Sequence, residues 1–322
     1  MSTLLLLLTA LAVAGVAFAL KRADIREAQI EARHFPEGQF VKVAGRDVHV
    51  VVKGEGPDLV LIHGAGGSTR DFTMEFVDRL SDRYRVFVFD RPGHGWTQQI
   101  DPALDSAWTS QSDSPRAQAR HLAEATRQLG AENPLVLGHS YGGAVAMAWA
   151  LEADAAGILT LAGATMPWPG AIDWQYRLLG SAIGGTLIPP IAPAFISQEY
   201  VDTTLVGVFK PDPVPDDYLN RAAVMMAIRA NTLRANHRQV NALRPNVVEM
   251  SAEYPSLTLP IEILHGTADK TVYAEIHAEP MAALVGDAKV TLLDGVGHMP
   301  QHVVPEQIVE AIERLAARAG LR

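Results

Sequence analysis

Six short apolar runs, separated for the most part by helical patterns, set the strongest limit on what this chain can become. They are Leu59-Val60-Leu61-Ile62, Val86-Phe87-Val88-Phe89, Leu135-Val136-Leu137, Ile158-Leu159-Thr160-Leu161, Ile261-Glu262-Ile263-Leu264 and Val290-Thr291-Leu292-Leu293. Each is about the length of a strand buried on both faces, where no polar alternation is needed. Ahead of them, Gln39 to Lys53 alternates in the manner of two strands joined by a turn at Gly45-Arg46-Asp47. An opening hairpin followed by strands and helices in turn predicts an α/β fold, with a mostly parallel sheet covered by helices on both faces.

One stretch breaks the rhythm. From Met166 to Leu259 there is no strand pattern, only helical patches among many prolines. Leu219, Ala222, Ala223, Met226, Ala230 and Leu233 recur at helical spacing after Pro213-Val214-Pro215. A helical excursion between two strands reads as a cap over the open edge of the sheet. The expected organisation is a core of residues 38–165 and 260–322, with a helical cap inserted over 166–259.

The N-terminus differs in kind. Leu4 to Leu20 holds no charge, and Lys21 and Arg22 follow. Seventeen residues of helix span about 25 Å, the short end of what crosses a bilayer. Residues 3–20 are therefore expected to form a transmembrane anchor, and 21–37 a juxtamembrane helix or linker ending at Pro36. The rival is a secretory signal peptide, with Ala17-Phe18-Ala19 as an A-x-A cleavage site; the apolar run, however, lacks the usual basic residues before it. Lys21, Arg22, Arg26 and Arg33 all follow the run, and basic residues tend to stay on the cytoplasmic side. The tail Met1-Ser2-Thr3 would then lie outside and the folded domain would face the cytoplasm, with export as the alternative.

Composition removes several classes of function. The net charge of −9, with scattered basic residues, gives nucleic acid no footprint to bind. With no cysteine, disulfides, thiolate metal sites and cysteine nucleophiles are excluded. The 11 histidines form no metal-ligand motif, so neither a metal nor another cofactor is expected.

The chemistry is carried by Gly138-His139-Ser140-Tyr141-Gly142, a G-x-S-x-G motif placed directly after one apolar run and before the helical run Ala144–Trp149. A sharp strand-to-helix turn exposes a serine hydroxyl and aims the positive end of the helix at it. A serine needs a base to become a nucleophile, and the base needs an orienting carboxylate. Asp269, in His265-Gly266-Thr267-Ala268-Asp269, and His298, in Gly295-Val296-Gly297-His298, each follow a predicted strand. Strand ends of a parallel sheet share one edge, so the three can converge. Asp173 is the competing acid, with Glu262 inside a strand and Asp294 too near its strand end; His302 is the competing base, one helical turn too late. His63-Gly64-Ala65-Gly66-Gly67 follows another strand and can turn backbone N–H groups to the serine. The expected oxyanion donors are the N–H groups of Ala65 and Tyr141. His63 and the turn Asp90-Arg91-Pro92-Gly93-His94-Gly95 are read as structural.

This ordered set, HGAGG, DRPGHG, GHSYGG, HGTAD and GVGH, resembles the α/β-hydrolase superfamily in its branch with a helical cap between strands six and seven. The resemblance runs from about Gln39 to Ala317 and implies the triad Ser140, Asp269 and His298 with the same oxyanion donors. A serine at the elbow departs from haloalkane dehalogenases and epoxide hydrolases, whose nucleophile there is an aspartate. Met299 departs from the tryptophan common in carbon–carbon bond hydrolases of aromatic degradation. The expected activity is that of a serine hydrolase cleaving an ester or related acyl bond through an acyl-serine. Carbon–carbon cleavage of a diketone-like substrate by the same triad, and a catalytically silent membrane-tethered binding protein, are the alternatives. Tyr141, Met166, Trp168, Trp174, Met226 and Met299 are candidates to line an apolar pocket for a small acyl substrate; for Trp174 and Met226, packing within the cap is an equal reading.

Overall fold

All six apolar runs became strands of one sheet, in a computed structural model that describes residues 3–322; Met1 and Ser2 of the short tail lie outside the described residues. The strands are β1 (Gln39–Val43), β2 (Arg46–Lys53), β3 (Asp58–Ile62), β4 (Arg85–Phe89), β5 (Leu135–His139), β6 (Gly157–Leu161), β7 (Ile261–Gly266) and β8 (Ala288–Leu293). Their spatial order is β1-β2-β4-β3-β5-β6-β7-β8. The β1–β2 and β2–β4 pairs are antiparallel and the rest are parallel. The hairpin turns one residue earlier than the sequence suggested. Val43 pairs with Arg46, so Ala44 and Gly45 make the turn, both with positive φ.

Helices fill the intervals: α1 (Thr3–Arg33), α2 (Arg70–Thr73), α3 (Pro115–Gln128) and α4 (Tyr141–Glu152) precede the cap. The cap holds α5 (Trp174–Leu179), α6 (Ala182–Leu187), α7 (Ala192–Phe195), α8 (Gln198–Phe209), α9 (Tyr218–Arg221) and α10 (Ala230–Ser251). Then come α11 (Ala274–Leu284), α12 (Pro300–Val303) and α13 (Pro305–Arg318).

Strand alternation splits the core into two layers. Val60, Ile62, Val136, Ile158 and Ile263 point to one face, where α3, α4 and α11 add Leu122, Val145 and Met281. Leu59, Leu61, Leu135, Leu137, Leu159 and Leu161 point to the other, where α13 adds Ile308, Ile312 and Leu315. Every residue of β5, β6 and β7 is buried, which is why these runs show no polar alternation.

The regular elements of the insertion between β6 and β7 are all helices, but the periodic patch Leu219–Leu233 is not one helix. Ala223 sits in the left-handed region (φ 52°) and breaks it into α9, a 3₁₀ turn at Val224–Ile228, and the start of α10. The turn packs Met225, Met226 and Ile228 with Ile30 of α1. The far half of α10 belongs to the core, through Leu243, Val247 and Met250.

Residues 21–33 are helix, continuous with the apolar segment before them. Residues 3–18 are exposed on every side, whereas Ala19, Ala23 and Ile30 form one buried stripe. Below that point α1 is fastened to the cap. Arg26 Nη1 donates to the Pro193 carbonyl (2.8 Å), Glu27 accepts from the Ala230 N–H (2.7 Å), and Arg229 pairs with Glu31 (2.9 Å).

Candidate active site

Ser140 stands between β5 and α4 with φ 54° and ψ −118°, a conformation few non-glycine residues adopt. The surrounding glycines leave no choice about their own size. A Cβ on Gly138 would lie 2.0 Å from the Gly142 carbonyl oxygen, and one on Gly142 would lie 2.3 Å from that of Ile62. The Ser140 carbonyl accepts from Gly143 (2.9 Å) and Ala164 (3.0 Å), and its N–H donates to Leu161 (3.0 Å), so β6 holds the strained turn.

The structure brings Ser140, His298 and Asp269 together. His298 Nε2 is 3.0 Å from Ser140 Oγ, and its Nδ1 is 2.7 Å from Asp269 Oδ2. A carboxylate can only accept, so Nδ1 carries the proton and Nε2 faces the serine hydroxyl as acceptor. Asp269 Oδ1 accepts from the N–H groups of Thr271 (2.8 Å) and Val272 (2.9 Å). Burial works to raise the pKa of Asp269, but its histidine partners and the Val272 N–H outweigh it and hold the carboxyl well below the usual range. His265 Nε2 lies 3.4 Å from Asp269, yet it is only 2.7 Å from the Val272 carbonyl, which takes its proton. The loops carrying Asp269 and His298 touch. A Cβ on Gly266 would lie 2.1 Å from the Val296 carbonyl oxygen. Asp212 of the cap accepts from the Gly297 N–H (2.7 Å), bracing the histidine loop.

The rival groups lie elsewhere. Asp173 is exposed and caps α5 by accepting from Gln175. Glu262 is buried with Arg314 and Arg318. Asp294 is exposed, and His302 Nε2 is bound to Asp71 (2.9 Å).

The His63–Gly67 loop lies against the serine: a Cβ on Gly64 would be 3.0 Å from Ser140 Cβ. Ala65 is exposed there, and among the described residues its N–H and that of Tyr141 donate to no protein acceptor. His63 ties the loop down as expected, with Nδ1 donating to Gly64 and Nε2 accepting from the Arg91 N–H.

Arg91 has a role the sequence did not disclose. Its guanidinium is fully buried, donating to the carbonyls of His63 and Gly64 (both 3.0 Å) and to Gln118 and Gln239 (3.1 and 2.8 Å). It also lies over the Tyr141 ring at 4.3 Å. In a trans peptide the C=O and the following N–H point opposite ways. Fixing the Gly64 carbonyl on Arg91 therefore turns the Ala65 N–H away from it. Burial lowers the Arg91 pKa to about 10, still a cation at neutral pH. From the cap, Asn236 accepts from the Gly66 N–H (2.8 Å), so α10 also grips this loop. More buried hydrogen bonds stand beside Ser140, His298 and Asp269: Asp71 accepts from Tyr218 (2.7 Å), and His139 Nε2 donates to the His298 carbonyl (2.9 Å). No spacing in the sequence announces these contacts.

The pocket candidates divide. Met166 and Trp168 are half-buried beside His277, whose Nδ1 accepts from the Met166 N–H (3.0 Å). Met299 is buried with Phe209 and Tyr218. Two expectations are corrected. Trp174 is 65% exposed on α5, so it is neither enclosed as a pocket wall nor packed within the cap. Met226 is buried with cap residues, closer to its other reading, but Ile30 of α1 shares the cluster. A cavity of about 220 Å³ also lies along α1, lined by Arg26, Ile30, Arg33, Asn220 and Met225, away from Ser140.

Comparison with known proteins agrees with this architecture. Residues 59–311 match the family described as "Alpha/beta hydrolase family". The chain is similar to the pimeloyl-[acyl-carrier protein] methyl ester esterase of Nitrosomonas europaea, at 26% identity over 83% of this chain and 99% of that one. It is similar to haloalkane dehalogenase 2 of Mycobacterium tuberculosis at 27% identity, over 86% and 94%. Among solved structures, a bacterial membrane phospholipase A shares the fold with a TM-score of 0.66 at 21% identity, over 98% of both chains.

Proposed function

The chain belongs to the alpha/beta hydrolase family, and on that premise we propose that it is a serine hydrolase cleaving an ester or related acyl bond of a small apolar substrate. The observation that carries this is the unbroken hydrogen-bonded line from Asp269 through His298 to a serine at a strained elbow. Ser140 Oγ attacks the acyl carbon as His298 Nε2 takes its proton; Asp269 stabilises the imidazolium. The negative oxygen is met by the N–H groups of Ala65 and Tyr141, at the positive end of α4. His298 returns the proton to the leaving alcohol, then activates water to release the acyl group. Kinship with a methyl ester esterase supports an ester over other bonds, and a serine at the elbow speaks against dehalogenation, which uses an aspartate there.

Met166, Trp168 and Met299 flank the catalytic loops and form the apolar wall for the acyl group. Labelling by a fluorophosphonate probe, with the adduct mapped to Ser140, tests the mechanism; an unlabelled serine in folded protein would refute it. A panel of p-nitrophenyl esters beside vinylogous diketones tests the bond, and turnover of the diketones alone would move the assignment to carbon–carbon cleavage.

The protein is further read as a single-pass membrane protein. Among the described residues α1 alone is long and apolar enough to cross a bilayer, with a mean hydropathy of 2.5 over its most apolar 18-residue window. Ala19 of the would-be cleavage site is packed in unbroken helix, which supports an uncleaved anchor. Lys21, Arg22, Arg26 and Arg33, all after the span, support a domain on the cytoplasmic side. N-terminal sequencing and protease access in intact cells test this; a chain beginning at Leu20, or a domain digested from outside, would overturn it.

A further inference from the structure

Ala182 to Ile196 (AIGGTLIPPIAPAFI) contains no charged residue, although 20% of the chain is charged. This run forms α6 and α7, and it does not hide its large side chains. Ile183 and Leu187, four apart on one side of α6, are 68% and 62% exposed, and Phe195 on α7 is 61% exposed. Trp108, 70% exposed, stands beside them, since Thr186 Oγ1 donates to the Ala107 carbonyl (2.8 Å). Such a surface is costly in water and marks an interaction site.

Its position says what covers it. α7 lies against α1, where Arg26 is bonded to Pro193, and α1 leaves the folded domain at Ala19. Seven residues of helix separate these points, about 10 Å. The base of the apolar span and α7 are therefore separated along α1 by about the 5–10 Å to which an interfacial helix sinks its apolar face, and α6 adjoins α7 in the chain. Exposed aromatic and aliphatic side chains without charge suit that depth.

We propose that the α6–α7 face of the cap, through Ile183, Leu187, Phe195 and Trp108, docks on the surface of the same bilayer that α1 enters. This rests on the anchoring read from α1. It gives the cap a second hold on the membrane beside the helix. It also places the cap, and the loops it braces, where apolar esters partition.

The absence of native cysteine makes the test direct. Leu187→Cys and Phe195→Cys variants of the full chain, labelled with an environment-sensitive fluorophore, are placed in phosphatidylcholine/phosphatidylglycerol nanodiscs. Both positions are exposed, so labelling does not disturb a core. The expected result is blue-shifted emission at both, with intensity lost when lipids carrying a quencher at headgroup depth replace ordinary ones. Glu132→Cys, exposed just before the N-terminal end of β5 and so at the opposite end of the strands from Ser140, should stay in water. Val13→Cys, in the span, should respond to a quencher in the acyl region. Water-like emission at Leu187→Cys and Phe195→Cys, with Val13→Cys in lipid, overturns the docking and leaves the anchor standing. Water-like emission at Val13→Cys overturns both. Shielded but unquenched cap labels that cross-link between molecules would assign the face to a second copy of the chain, which also overturns the proposal.

Discussion

The sheet core and the cap obey different rules. In the core, positions are fixed by atoms a few ångströms away: Gly138 and Gly142 have backbone carbonyls where a Cβ would go, and β5, β6 and β7 are buried along their whole length. In the cap, α5, α6 and α7 are short, α5 and α6 start on side-chain caps from Asp173 and Ser181, and they leave Trp174, Ile183, Leu187 and Phe195 in the open. The core tolerates little because its neighbours are its own backbone. The cap's outer face is free to be shaped by what lies outside the molecule. The proposed catalytic residues stand on the first region, and the second braces two of their loops through Asp212 and Asn236.

The sharpest way to break this contrast is to find chemistry in the cap. Ser140→Ala or His298→Ala should cut ester turnover by on the order of 10⁴ to 10⁶, and the double variant should be no worse than either. Asp269→Asn should follow, while Asp173→Asn turns over normally. The reverse result for the two aspartates would move the acid into the cap. Gly142→Ala, by contrast, tests the crowding of the core. Its Cβ meets the Ile62 carbonyl, and a loss of about 3 kcal/mol in denaturant unfolding is expected.

Acid should also find the core first. Burial, as the main cause, pushes His63, His139 and His277 down to about 4. Unfolded histidines bind protons from about pH 6.5, so between pH 6.5 and 4 the unfolded state holds more protons. Stability is then lost as pH falls through that window, by up to about 1.4 kcal/mol per pH unit for each histidine kept neutral. Asp71 and Asp269, held low, add further loss only below about pH 4. A flat unfolding temperature from pH 6.5 to 4.5 would show these histidines to be protonated in the fold.

A smaller effect probes the join between the regions. Arg91→Lys keeps a charge but cannot serve four acceptors, so kcat should drop about tenfold with KM little changed. A rise in KM at unchanged kcat would mean that Arg91 shapes binding and leaves the Ala65 N–H alone. The smallest effect belongs to the cap surface: Trp174→Ser should shift stability by less than about 0.5 kcal/mol, since the ring packs on little.

Legibility followed the same divide. The six apolar runs announced β3 to β8 because a doubly buried strand has a composition of its own, and Ser140, Asp269 and His298 could be found just past strand ends. In the cap, helical periodicity carried across Leu219–Leu233 although Ala223 breaks the helix. The break lets Met225 and Met226 reach Ile30, a partner nearly two hundred residues away that periodicity cannot encode. Arg91 was missed for a related reason. Its partners are two backbone carbonyls and two glutamines from distant helices, so no local pattern separates it from an ordinary turn residue.

The unbroken course of α1 has a mechanical consequence. Its 31 residues make a rod about 46 Å long, fastened to the cap over its final turns. A tether of flexible residues would let a domain roam a hemisphere whose radius grows with the square root of its length. Under the anchoring proposed above, such a rod would permit neither roaming nor tumbling. It would hold the domain close to the membrane plane, leaving rotation about the membrane normal and lateral drift. Encounters with anything dissolved in the leaflet would then be a two-dimensional search, governed by molecules per unit area, and dilution of the surrounding water would leave their frequency unchanged.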